Sequence, residues 1–357
     1  VGFKTITLTG GVTGLTRETI GLTAGSFTIA QDGANAFTFE VKATDTVGDV
    51  IDRINAGGIY NASLDDEGRF VISVTGKVAE IKLNEDVTYD TILIYTVEDL
   101  QKIKNNLSGH YKLMADLDLT GIDWTPIGTS SDKFTGSFDG NNYTIKNLTI
   151  DSAESDNIGL FGYAEDAKFQ NIVMENVSVK GNNYVGALVG YVTGDSDLKN
   201  IEIKSGNVEG IYSVGMIAGQ GYYLQGDVNN LFTSGTVNGE VNVGGIFGYF
   251  YGYSNFLDME TSSSSATVNG KDNVGGLVGY GYNCRIEDSA FKGEVTGTNK
   301  VGGILGYVEN MYSGFSRTYS TGTVNGEKNV GGIVGYTKGD IYIAQSYVAG
   351  AVSGTTN

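Results

Sequence analysis

Alternation of apolar and polar residues dominates the chain after residue 110. Short stretches such as Tyr111–Leu119, Phe134–Phe138, Tyr143–Ile150, Tyr319–Val324, Val330–Tyr336 and Ile341–Val348 alternate with period two. That is the signature of strands with one buried face. Turn residues of the Gly/Asn/Asp type separate them, as at Asn325-Gly326 and Lys338-Gly339-Asp340. Two segments carry helical spacing instead. Over 45–55, Val47, Val50, Ile51 and Ile54 fall at i, i+3, i+4 and i+7. Thr46 and Asp49 stand in capping positions, and Gly57-Gly58 follows the last turn. Over 96–107, Val97, Leu100, Ile103 and Leu107 share a face behind a capping Thr96. Before the first helix, Phe27–Ala30 and Ala36–Val41 read as strands. After it, Tyr60–Leu64 and Arg69–Val74 read as a hairpin closed by Asp65–Gly68.

The strand pattern repeats. Asn242–Tyr249, Asn273–Tyr280, Lys300–Tyr307 and Asn329–Tyr336 share the phrase x-Val-Gly-Gly-(Ile/Leu)-x-Gly-Tyr, with looser copies at 157–163, 184–191 and 213–220. The last glycines stand at 162, 190, 219, 248, 279, 306 and 335. A near-constant period of this size means stacked units of one architecture. Three short strands per repeat predict one coil around a triangular core, seven coils adding roughly 34 Å of rod. The fold class expected is mainly β: a right-handed parallel β-helix (solenoid) with a small N-terminal α+β module. The domains expected are 1–93 for that module, 94–151 for a capping helix and first coils, and 152–357 for the repeats. Leu160, Leu188, Ile217, Ile246, Leu277, Ile304 and Ile333 form one predicted inward column. Val179, Val208, Val237, Val268, Val295, Val324 and Val352 form another. The glycines of Val-Gly-Gly-Ile either turn the chain sharply or let it pack closely.

Composition narrows the function. The formal charge of −18 excludes the basic face that nucleic-acid binding needs. No apolar run of about 18 residues offers a membrane span. The one cysteine, Cys284, allows no intrachain disulfide. The first residues alternate like a strand rather than a leader, and 349–357 aligns with 321–329 without the Val-Gly-Gly that should follow. Both points predict a fragment of a larger protein.

Two resemblances follow from these residues. Ala24–Ile29, Asp45–Ala56 and Asn61–Ser73 resemble the insert motif of flagellins and hook-associated proteins, over about 20–75. The leading helix, Asp116-Leu-Asp-Leu119, Trp124-Thr-Pro-Ile-Gly128, Phe138-Asp-Gly-Asn-Asn-Tyr-Thr-Ile145 and the glycine phrases resemble the GLUG-repeat proteins, over about 95–357. That family occurs in large bacterial surface proteins and beside the protease domain of some immunoglobulin A1 proteases. The resemblances imply an extracellular location, on a flagellar filament or cell surface.

Candidate chemistry is sparse. His110 is the one histidine, without a nucleophile motif or a zinc-protease signature, so a surface or capping role is expected. Asp116 and Asp118 share a strand face and are expected to stabilise a turn; Asp195 and Asp197 are expected loop acids. Cys284 is expected in the core. No catalytic, cofactor-binding or metal residue is assigned, no cofactor is expected, and the chain is expected not to be an enzyme. Tyr163, Tyr191, Tyr249, Tyr280, Tyr307 and Tyr336 close their phrases in register, Gln220 interrupting. They make either an aromatic stack that stiffens the rod or a strip that contacts a ligand; Tyr191, Tyr249, Tyr280, Tyr307 and Tyr336 are the candidate contacts. The function expected is structural and adhesive display, with a surface glycan or host protein as partner and a filament or surface protein as parent. A carbohydrate-binding or carbohydrate-active β-helix is the alternative.

Overall fold

The computed structural model describes residues 91–252, 258–310 and 314–355, and within 1–90 the segments 4–8, 25–31, 37–41, 47–56, 60–64, 70–74 and 78–83. Contacts divide the chain into two units, Val1–Leu93 and Ile94–Asn357. No helix among the described residues is long and apolar enough to cross a membrane.

In the first unit, Lys4–Leu8, Phe70–Val74 and Tyr60–Leu64 form one antiparallel sheet, and Phe37–Val41, Gly25–Gln31 and Val78–Leu83 form another. The helix runs Val47–Ala56 and buries Ile54. The strand Val78–Leu83 has no counterpart in the sequence reading. The expected Thr46 cap and the turn at 65–68 lie outside the described residues.

The second unit is a parallel β-solenoid of about eight turns. Each coil has more corners than the three strands per repeat suggested. One coil runs Tyr212–Gly215, Ala218–Leu224, Val228–Thr233 and Thr236–Asn238, and the next opens at Val241–Gly244. These segments stack into sheets of six, seven, sixteen and eight strands. The triangular coil is therefore corrected to four strand segments. The sixteen-stranded sheet bends again at Asn171, Asn200 and Asn230, all with φ between 53° and 55°.

The glycine phrase is a corner, not an edge. It straddles two sheets, from Val241–Gly244 into Phe247–Gly252. Its first residue bends the strand before the corner at 245–246: Asn157, Tyr184, Ser213, Asn242, Asn273, Lys300 and Asn329 all have φ between 52° and 57°. This left-handed region favours asparagine, whose short polar side chain bonds locally. The side chains then form ladders; Asn273 Nδ2 donates to Asn242 Oδ1 at 2.8 Å, and Asn230 to Asn200 at 3.0 Å. The glycines serve close approach. A Cβ on Gly248 would collide with the backbone of Ser213, Val214 and Gly219 in the preceding coil. One on Gly244 would strike Phe247 O and the Gly279 nitrogen of the following coil.

Both predicted columns point inward. Leu160, Leu188, Ile217, Ile246, Leu277 and Ile304 are fully buried, and Val179 through Val324 are at most 1% exposed. The register is direct, as in Val237↔Val268 and Val268↔Val295. Each such valine stabilises by about 1.5–3 kcal/mol relative to exposure. Both columns end differently: Ile333 is only partly buried and Val352 is 44% exposed.

The helix expected over 96–107 is shorter, α over Val97–Gln101 and 3₁₀ over Lys102–Asn105. Its capping box is complete: Thr96 Oγ1 accepts from Asp99 N at 3.2 Å, and Asp99 Oδ2 accepts from Thr96 N at 3.2 Å. Leu100 and Ile103 are fully buried, and both Thr135 N and Gly136 N donate to Leu107 O. The first coils hold an aromatic cluster. Phe161 sits 4.7 Å from Phe134, 4.9 Å from Phe169 and 5.4 Å from Phe138, centroid to centroid. Trp124 Nε1 donates to Leu160 O, pinning the Trp-Thr-Pro-Ile-Gly turn to the next coil.

Candidate functional site

The phrase-closing tyrosines all emerge on the seven-stranded sheet. Strand alternation turns the residue after the last glycine outward, and parallel register puts each one above its copy. The column runs Tyr163↔Tyr191↔Gln220↔Tyr249↔Tyr280↔Tyr307↔Tyr336. Tyr163 and Tyr191 stack at 4.5 Å with 13° between planes, and Tyr249 and Tyr280 at 4.7 Å with 5°. Tyr307 stands across Tyr280 at 81°, and Tyr336, at 5.6 Å from Tyr307, is 44% exposed.

A second column two residues on widens the strip. It runs through Thr193, Tyr222, Tyr251, Tyr282 and Glu309. Tyr222 reaches across the Gln220 gap, 6.3 Å from Tyr191 and 6.4 Å from Tyr249. Tyr251 lies 5.2 Å from Tyr222, 4.5 Å from Tyr223 and 4.6 Å from Tyr282. The clustering of tyrosines at 222–223 and 249–253 marks this region in the sequence. Only the register shows that Tyr222 repairs the break made by Gln220.

Charged side chains flank the aromatic centre. At one end Lys133 bonds Glu165 at 2.8 Å and lies 5.6 Å from the Tyr163 centroid. At the other, Glu309 accepts from Tyr280 Oη at 2.9 Å, Tyr307 Oη at 3.1 Å and Lys338 Nζ at 2.6 Å, and Lys300 covers the Tyr307 ring at 4.8 Å. Burial pushes the Tyr249 hydroxyl up to about 12, and burial followed by the Glu309 hydrogen bond pushes Tyr280 higher still. Burial likewise raises Tyr191. These hydroxyls stay protonated at neutral pH and can donate hydrogen bonds. Because stacked rings occupy one another's faces, the strip presents ring edges and hydroxyls.

The other candidates lie apart. Asp118 Oδ1 accepts from the Thr120 hydroxyl at 2.6 Å, Thr120 N at 2.9 Å and Asn147 Nδ2 at 2.8 Å, which hold its carboxyl down at about 2. Asp116 Oδ1 accepts from Thr144 N at 2.8 Å, so both acids tie one coil to the next. Asp195 and Asp197 pair with Lys168 at 3.3 and 3.5 Å. His110 Nδ1 is 2.9 Å from Ser137 Oγ, and Cys284 is fully buried. Among the described residues no three His, Cys, Asp or Glu side chains converge where a metal could be held.

Residues 85–205 match the family described as the M26 IgA1-specific metallo-endopeptidase N-terminal region, and residues 272–296 match the GLUG motif. The chain is 36% identical over 142 residues to halomucin of Haloquadratum walsbyi, covering 35% of this chain and 2% of that protein. It is 26% identical over 175 residues to the immunoglobulin A1 protease of Streptococcus sanguinis, covering 44% of this chain and 9% of that protein. The alignments thus span a small part of these relatives' length. A crystal structure of a candidate immunoglobulin A1 protease from Bacteroides ovatus superposes with a TM-score of 0.48 at 21% identity, over 72% of this chain and 75% of that one.

The chain therefore carries GLUG repeats and a region similar to a peptidase family. Two expectations are corrected. The separation from enzymes is overturned by the match of residues 85–205 to a metallo-endopeptidase N-terminal region and by the similarity to the S. sanguinis protease. A search for catalytic motifs could not detect this, because the matched residues are the cap and first coils, whose pattern records packing. The flagellin-type resemblance gains no support: neither family match reaches residues 20–75. A strand pair, a short helix and a hairpin are too common a sequence of elements to single out one family.

Proposed function

We propose that this chain is an extracellular, surface-displayed module that engages a protein or glycoprotein through its tyrosine strip, in the service of an immunoglobulin A1 protease-like protein. The observation that carries this is the aromatic column over seven coils, broken at Gln220 where Tyr222 reaches across, with the Tyr191, Tyr249 and Tyr280 hydroxyls held protonated by burial. Tyrosine supplies large rigid contact area and a polar tip at low entropic cost, a combination suited to protein interfaces. The GLUG match and the similarity to halomucin and to an immunoglobulin A1 protease support the surface location and the partner class.

Surface plasmon resonance of the 357-residue chain over immobilised immunoglobulin A1 and mucin tests the reading. Binding to at least one is expected. Tyr249→Phe combined with Tyr251→Phe removes hydroxyls but keeps the rings, and should weaken it about tenfold, the worth of roughly one or two hydrogen bonds. No binding to either surface, or binding indifferent to the double variant, sinks the proposal.

A further inference from the structure

A hollow of about 280 Å³ opens on the sixteen-stranded sheet, away from the tyrosine strip. Two outward columns build it. One runs Glu202↔Phe232↔Ser263↔Ala290. The other, two residues further along each strand, runs Lys204, Ser234, Ser265 and Lys292. The inner two coils carry serine where the outer two carry lysine, so the floor is low and the ends are cationic. Three coil steps of about 4.8 Å put the lysines roughly 14 Å apart along the axis.

Two features mark the hollow. Phe232 is 42% exposed, although every other described phenylalanine of the coils is buried. Lys204 and Lys292 have no ion-pair partner among the described residues, a state they share with Lys104, Lys146 and Lys328, whereas Lys168, Lys199, Lys271 and Lys300 all have one in this strongly acidic chain. An exposed aromatic ring, a row of hydroxyls and an unspent cation together match one chemistry. The ring takes the C–H face of a pyranose; Ser234 and Ser265, whose hydroxyls donate to Lys204 O and Thr233 O, can accept from its hydroxyls; and the ammonium takes a carboxylate.

We propose that this hollow binds an acidic glycan, with a sugar ring on Phe232 and its carboxylate on Lys292. Glu202 stands beside Lys204 and repels an anion there, so the carboxylate is directed to the Lys292 end. The site is independent of the tyrosine strip.

Titration calorimetry of the 357-residue chain at low salt with 3′-sialyllactose, tri-galacturonate, lactose and a glutamate-rich peptide tests it. At least one acidic sugar should bind tenfold or more tightly than lactose and than the peptide, and weaken with added salt. Lys292→Gln and Phe232→Ser, both at exposed positions, should each weaken that binding about tenfold with unchanged melting temperature. Tyr249→Phe should leave it unchanged, so this site and the strip can fail separately. Equal binding of lactose, equal binding of the peptide, no binding of either acidic sugar, or full affinity in Lys292→Gln overturns the proposal.

Discussion

The first and the last described coils carry similar apolar ladders and bury them very differently. At the first coils, Leu100 and Ile103 of the helical turn and Phe134, Phe138 and Phe161 are all fully buried. At the last described coil, Ile343 is 46% exposed, Val348 39% and Val352 44%. Val352 belongs to the same column as Val324, which is fully buried one coil earlier. A ladder residue is thus buried by its neighbours above and below rather than by its own coil. Stability in such an array is a sum of intrinsic and nearest-neighbour terms, and the last coil described has a described neighbour on one side.

The sharpest way to break this contrast is at the first coils. Phe161→Ala removes the ring that touches Phe134, Phe138 and Phe169, and should cost about 3–5 kcal/mol in denaturant unfolding. A loss below about 1 kcal/mol would mean the aromatic cluster does not hold the first coils. A matched pair within one column follows. Val268→Ala should cost about 2 kcal/mol, while Val352→Ala should stay within about 0.5 kcal/mol, read by amide hydrogen exchange coil by coil. Equal costs would contradict the burial difference.

The smallest effect is electrostatic and exists near both the first and the last described coils. The hydrogen bonds from Thr120 and Asn147 lower the Asp118 carboxyl to about 2, and the Lys338 hydrogen bond, then that of Tyr280, lowers Glu309. A carboxyl lowered on folding adds stability above its unfolded pKa of about 4 and loses it as pH falls through the folded value. Melting temperature should therefore fall between about pH 4 and pH 2. Asp118→Asn should melt below the parent at pH 7 and match it at pH 2; a gap unchanged across that range would refute the hydrogen-bonded carboxylate.

Much of the solenoid was legible in the chain. The period, the inward Ile/Leu and Val columns and the outward tyrosines all follow from alternation plus repetition, because parallel in-register stacking maps sequence period directly onto space. The corners were not legible in the same way. Glycine admits both turning and close packing, and only the structure places a left-handed bend at Asn242 and its counterparts and leaves steric clearance to Gly244 and Gly248. The similarity to a peptidase family entered only through the GLUG resemblance and did not stop the chain being set apart from enzymes, since its record lies in packing residues of 85–205 and not in any reactive group.

Repetition of side-chain type every 27 to 31 residues is a local property, so the sequence alone determined that coils form, which residues enter the core, and that Tyr191, Tyr249, Tyr280, Tyr307 and Tyr336 share a face. Tertiary structure decided what depends on residues far apart in the chain. It set the four-segment coil, the way Tyr222 bridges Gln220, the hollow between Lys204 and Lys292, and the unequal burial of Val324 and Val352. Each of these rests on the coil above or below, and a side chain's own sequence neighbourhood does not contain that coil.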